Sequence, residues 1–156
     1  MSLNADMVDR GNWQRAVSVV RGGGVVIIAT ETFYCIAANP FCEEAVKRVF
    51  LLKGRSVQKP LPLIASSVQA VSRLISEESE DAFELGQNFW PGSLTVLVNL
   101  KVTFPTALRG AHNRVGIRIP PECPASRLAL MNGGWITATS ANLSGGPNAA
   151  RIEDIP

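Results

Sequence analysis

Val25-Val26-Ile27-Ile28-Ala29 constrains this chain more than any other segment. Its four β-branched residues are stiff at χ1 and pack well on a pleated surface, so the run reads as a strand. An apolar run without alternation suits a strand buried on both faces. Just before it, Trp13, Ala16, Val17 and Val20 fall at i, i+3, i+4 and i+7, one buried helical stripe. Gly22-Gly23-Gly24 stops that helix. A helix giving way to a strand through three glycines is the start of an α/β pattern.

The alternation continues along the chain. Asn39-Pro40 marks a turn, and residues 42 to 52 read as a helix with Ala45, Val46, Val49, Phe50 and Leu52 on its apolar side. Lys53-Gly54-Arg55-Ser56 breaks this helix into a basic loop. Leu61 to Ala65 is a short strand, and Ser67 to Ile75 a helix capped by Ser66 or Ser67. Ser76 or Ser79 caps the next helix, whose acidic first turn (Glu77, Glu78, Glu80, Asp81) suits the macrodipole. Trp90-Pro91-Gly92 ends it.

Leu94 to Leu100 and Val115 to Ile119 are strands with no helix between them, so antiparallel pairing is expected. Pro124 to Met131 is a short helix, and Trp135 to Thr139 a strand leading into the loop from Ser140 to Asn148. The expected fold is one α/β domain over residues 1 to 156: a mixed parallel and antiparallel sheet flanked by helices. A chain of 156 residues is long enough for a single core without a staple or metal.

Charge and motif content exclude several functions. Fifteen Lys and Arg against thirteen Asp and Glu give +2, so anion binding must come from local clustering and not from a global basic field. No apolar run approaches the ~18 residues of a membrane helix. The polar opening MSLNADMVDR has no signal-peptide core, which points to the cytoplasm and away from membranes. Cys35, Cys42 and Cys123 are odd in number and lack C-x-x-C spacing, against both a disulfide framework and a zinc site. There is no P-loop, no G-x-G-x-x-G and no G-x-S-x-G elbow. His112, the only histidine, falls in a loop and reads as solvated; no metal site is expected.

What remains is a set of polar loops. Thr30-Glu31-Thr32-Phe33-Tyr34 follows the first strand, where open α/β sheets place ligands. In extended chain Thr30 and Thr32 face one side, although a satisfied strand end would look the same. Glu31 is the one acid in these loops and a candidate general base. Lys53-x-Arg55, with Lys47, Arg48 and Lys59 near, would grip a phosphate or carboxylate, or form a solvated basic surface. Arg118 lies in the apolar strand segment Val115 to Ile119, where a charge needs an internal partner or a ligand. Thr137 to Gly146 offers hydroxyls, an amide and glycines that let backbone approach a ligand, or forms an ordinary turn. Cys35 reads as a small buried hydrophobe.

Taken together and in this order, ATETFYC, KGR, NFWPGSLTVLV, VGIRIP and TATSANLSG resemble the YrdC-like family, whose synthases make threonylcarbamoyl-AMP. The likeness runs from about Gly22 to the end, and WPG-x-L-T with TSAN-x-SG is its most specific part. It implies a twisted mixed α/β fold with a concave basic face. It also implies nucleotidyl transfer: L-threonine, bicarbonate and ATP give threonylcarbamoyl-adenylate and pyrophosphate, with Mg²⁺ carried on the ATP phosphates. Partner proteins would then pass the threonylcarbamoyl group to tRNA.

The K-x-R and S-x-N signature falls on Lys53, Arg55, Ser140 and Asn142, the expected catalytic set. Lys53 and Arg55 would hold phosphates, and Ser140 and Asn142, with Ala138, the α-phosphate and nucleoside. Arg118 would meet the threonine carboxylate, Thr32 the amino acid, and Thr30 and Tyr34 would shape its pocket. Ala29, Cys35 and Ser93 stand where the family has Pro, Gly and Pro, and Ala65-Ser66 where many members carry a His. Family chains also continue past the position of Pro156. The resemblance further admits a non-catalytic protein that binds double-stranded RNA or tRNA. A carbamoyl-transferring relative of hydrogenase maturation proteins fits less well, because this chain has no zinc-finger cysteines.

Overall fold

A computed structural model describes residues 10 to 109 and 113 to 156. His112 lies outside them. The elements run α1 (Arg10–Arg21), β1 (Val25–Ala29), β2 (Tyr34–Ala38), α2 (Glu43–Lys53), β3 (Leu63–Ala65), α3 (Val68–Ser72), α4 (Glu80–Phe89), β4 (Val96–Val98), β5 (Val115–Arg118), α5 (Pro124–Met131), β6 (Trp135–Thr137) and β7 (Thr139–Ser140). The fold is α/β with mixed pairing, as expected, but its strands divide between two sheets. β1-β2-β7 is wholly antiparallel. β4-β5-β3-β6 is mixed: β3 runs parallel to β5 and antiparallel to β6, and β4 pairs antiparallel with β5.

Three expectations need correction. β1 is not a doubly buried strand: it is the edge of its sheet, and Ile27 is 51% exposed. Val26 and Ile28 face the layer of Trp13, Val17 and Val20 from α1, while Ile27, on the other face, points outward. No strand is expected from sequence at β2, of which only Tyr34 falls in a polar loop. Tyr34-Cys35-Ile36-Ala37-Ala38 has a single β-branched residue, but pairing with β1 on one side and β7 on the other makes it the central strand. Residues 135 to 139 are not one strand. The chain leaves the mixed sheet after Thr137, Ala138 donates its N–H to Pro62 O, and Thr139 joins the antiparallel sheet.

Two apolar layers hold the sheets. One joins β3, β4 and β5 to α2 around Val46, Phe50, Leu63, Ile117 and Trp135. The other packs α1 and α5 against β1. Phe104 is 2% exposed and stacks on Phe41 at 4.9 Å, with Trp135 edge-on at 6.5 Å. Gly86 in α4 touches the Trp90 ring so closely that a Cβ there would lie 2.6 Å from it. Of the expected caps, Ser67 accepts from Ala70 N at the start of α3. No helix among the described residues is long and apolar enough to cross a membrane.

Candidate active site

The cleft opens where the two sheets meet, at the crossing made by residues 137 to 140. Thr30 and Thr32 come from the β1–β2 turn, Tyr34 from the start of β2, Arg118 from the end of β5, and Ala138 and Ser140 from the crossing itself. All six were singled out from the sequence, and all line one cavity of about 150 Å³. Pockets for drug-sized ligands start near ~300 Å³, so this space suits an amino acid and not a whole nucleoside triphosphate. Pro62, Leu63, Thr95 and Cys35 also line it. Thr95, the Thr of WPG-S-L-T, carried a visible motif signal; Pro62 and Leu63 carried none.

The β1–β2 turn is a compact hairpin loop, not extended chain. Thr30 Oγ1 accepts from the N–H groups of Thr32 and Phe33 at 3.2 and 3.1 Å and donates to Phe33 O at 2.7 Å. The two threonine hydroxyls come together at 3.1 Å through this fold-back. Glu31 sits at its tip and accepts both arms of Arg118 as a bidentate pair, with Nη2 to Oε2 at 3.1 Å. Arg118 therefore has an internal partner across the cleft mouth.

Lys53 is not in a loop. It is the last residue of α2 and 2% exposed. Val46, Val49, Phe50 and Lys53 are spaced i, i+3, i+4 and i+7, so the lysine continues the buried stripe. Gly54 follows at φ 56°, a left-handed turn that favours glycine, and releases the chain. The Lys53 ammonium donates to Ser140 O, and at 2.9 Å each to Asn142 O and Asn142 Oδ1. Asn142 Oδ1 also accepts from Ser140 Oγ at 2.6 Å, and Ser144 N donates to Lys53 O at 2.9 Å. The ammonium's three protons are thus engaged by the 140–142 segment. Its hydrogen bonds are to neutral carbonyls; burial, then the nearby Arg55 charge, pull its pKa below the usual lysine value.

Arg55 donates from Nε to Lys59 O at 2.8 Å and from Nη2 to Pro60 O at 3.1 Å. Lys47 pairs with Glu43 and Glu44, and Arg48 donates to Gly23 O. The run of cations from Lys47 to Lys59 is in large part bonded to its own surroundings. Burial pushes the Cys35 thiol up to about 12, so it stays protonated at neutral pH and packs as an apolar group. Among the described residues no three His, Cys, Asp or Glu come together as a metal site.

Residues 18–156 match the Sua5–YciO–YrdC family model, described as "Telomere recombination". Over 140 residues the chain is 36% identical to the threonylcarbamoyl-AMP synthase of Pyrococcus abyssi, covering 90% of this chain and 41% of that protein. Over 130 residues it is 38% identical to the threonylcarbamoyl-AMP synthase of Methylococcus capsulatus, covering 83% of this chain and 70% of that one. The crystal structure of P. abyssi Sua5 complexed with L-threonine superimposes with a TM-score of 0.86 at 32% identity, over 96% of this chain and 44% of that one. The chain therefore spans less than half of the Pyrococcus abyssi protein and over two thirds of the Methylococcus protein.

Proposed function

The chain belongs to the Sua5–YciO–YrdC family, and on that premise we propose that it is a threonylcarbamoyl-AMP synthase. It would join L-threonine, bicarbonate and ATP into threonylcarbamoyl-adenylate, releasing pyrophosphate and water. The observation that carries this reading is the convergence of Thr30, Thr32, Tyr34, Arg118, Ala138 and Ser140 on one amino-acid-sized cleft.

In the proposed mechanism the threonine carboxylate lies on Arg118 and its side chain against Thr32 and Tyr34. The carboxylate oxygen formed from bicarbonate on the threonine nitrogen attacks the α-phosphorus of ATP, and the bond to the pyrophosphate oxygen breaks. Two anions must meet, so the work falls to fixed donors and cations, not to a strong base. ATP lies across the open mouth on the Ser140 side. Ser140, Asn142 and the backbone N–H groups of their loop receive its α-phosphate, and Lys53 acts by holding that loop in shape. Arg55, half-buried beside them, turns toward the phosphates when ATP is present. Mg²⁺ would be carried on the ATP phosphates and would supply neutralisation of their charge. The product would pass to partner proteins that modify tRNA, in the cytoplasm.

The test is pyrophosphate release from ATP in the presence and absence of L-threonine and bicarbonate. Release that requires both co-substrates is the expected result. Binding of tRNA or double-stranded RNA that falls steeply with salt, without any turnover, would instead favour a purely RNA-binding protein.

A further inference from the structure

Arg118 meets a carboxylate before any substrate arrives. Glu31 takes both arms of its guanidinium, and the two side chains are only 17% and 23% exposed. They are 87 residues apart in the chain and join the tip of the β1–β2 turn to the end of β5, across the mouth of the cleft. The Thr30 hydroxyl braces that turn from within through its bonds to residues 32 and 33, so Glu31 is carried by a small, self-contained loop.

We propose that Glu31 is a resident stand-in for the substrate carboxylate: a clasp that closes on Arg118 in the empty cleft and is displaced when a carboxylate ligand binds. This rests on the reading of Arg118 as the carboxylate receiver. Glu31 holds the Nη1–Nη2 edge of the guanidinium, and a ligand carboxylate that docks on that edge competes with it. Binding a carboxylate therefore exchanges one ion pair for another, so its net gain is small. A ligand with a neutral amide in that position does not open the clasp and gains nothing from Arg118. Glu31 thus sets how strongly the cleft distinguishes a carboxylate from its neutral analogue, a specificity role for a side chain that need not touch the substrate.

Calorimetric titration of L-threonine, L-threoninamide and acetate into the wild type, Glu31→Gln and Arg118→Gln tests this. Glu31→Gln frees the fork and is expected to bind L-threonine and acetate about fivefold more tightly, the scale of a partly exposed ion pair. L-Threoninamide should be unaffected by Glu31→Gln, and Arg118→Gln should abolish the carboxylate preference. Steady-state kinetics should show the same split, with a lower KM for threonine and little change in kcat. Equal or weaker carboxylate binding in Glu31→Gln overturns the clasp. If acetate tightens while threonine binds neither protein, the clasp stands and the threonine reading fails. A general loss of folding would shift all three ligands together, and matched melting curves separate that case.

Discussion

The Lys53 ammonium donates to both carbonyls of Asn142, backbone and side chain, at 2.9 Å each, across 89 residues of sequence. This joins the end of α2 to the loop that follows β7. A buried ammonium held by carbonyl oxygens alone carries an uncancelled positive charge against Ser140, which lines the cleft. The 140–146 loop therefore keeps one shape and lies in a favourable field for an anion.

Removing that ammonium should cost activity far more than fold. Lys53→Ala leaves three acceptors without their donor, and a loss of about 10²–10³ in kcat is expected, the scale for removal of a preorganised donor. Hydrogen exchange should show faster exchange confined to residues 140–146. A kcat within threefold of wild type would rule out the loop-holding role.

Asn142→Asp separates geometry from charge. The carboxylate can still accept from Lys53 and Ser140, but it cannot donate to Gly146 O as the Asn142 amide does. It also puts a negative charge beside the proposed α-phosphate. The expected outcome is a melting temperature close to wild type with ATP affinity lowered more than tenfold, read by nucleotide titration.

Cys35 makes stability depend on pH at the alkaline end. Its thiol is raised from 9.0 to about 12 in the fold, so the native state holds a proton that the unfolded chain releases. Its contribution is complete below pH 9 and is lost progressively above it, by up to about 1.4 kcal/mol per pH unit. Denaturant titrations from pH 8 to 11 should show that slope, and Cys35→Ala should flatten it. Iodoacetamide at pH 8 should modify the half-buried Cys42 before Cys35.

Gly54→Ala tests the turn that delivers Lys53. Nothing lies within 4 Å of a Cβ built there, so the cost comes from the left-handed backbone at φ 56°. A loss of about 1 kcal/mol is expected by denaturant unfolding. By contrast, Phe104→Ala empties a site packed between Phe41 and Trp135 and should cost about 3–5 kcal/mol.

Much of the molecule was legible residue by residue. The stripe Trp13, Val17, Val20 became the buried face of α1, the antiparallel partners β4 and β5 formed as expected, and Ser67 capped α3. Those features depend on neighbours a few positions away, and side-chain periodicity records such neighbours directly. The burial of Lys53 was also present in the spacing of Val46, Val49 and Phe50, although its charge argued for a loop.

What local pattern could not carry is pairing at long separation. Tyr34 to Ala38 is a central strand because β1 and β7 flank it, not because its own residues favour extension. Ala138 moves the chain from one sheet to the other because Thr137 and Thr139 pair with different partners. The same holds in the site, where Arg118 meets Glu31 and Lys53 meets Asn142 over 87 and 89 residues. Sequence alone showed that a charge in an apolar strand needs a partner, since an unpaired buried charge is costly. Which partner it has depends on which loops the packed sheets bring to the same edge, and that is settled only when the whole core forms.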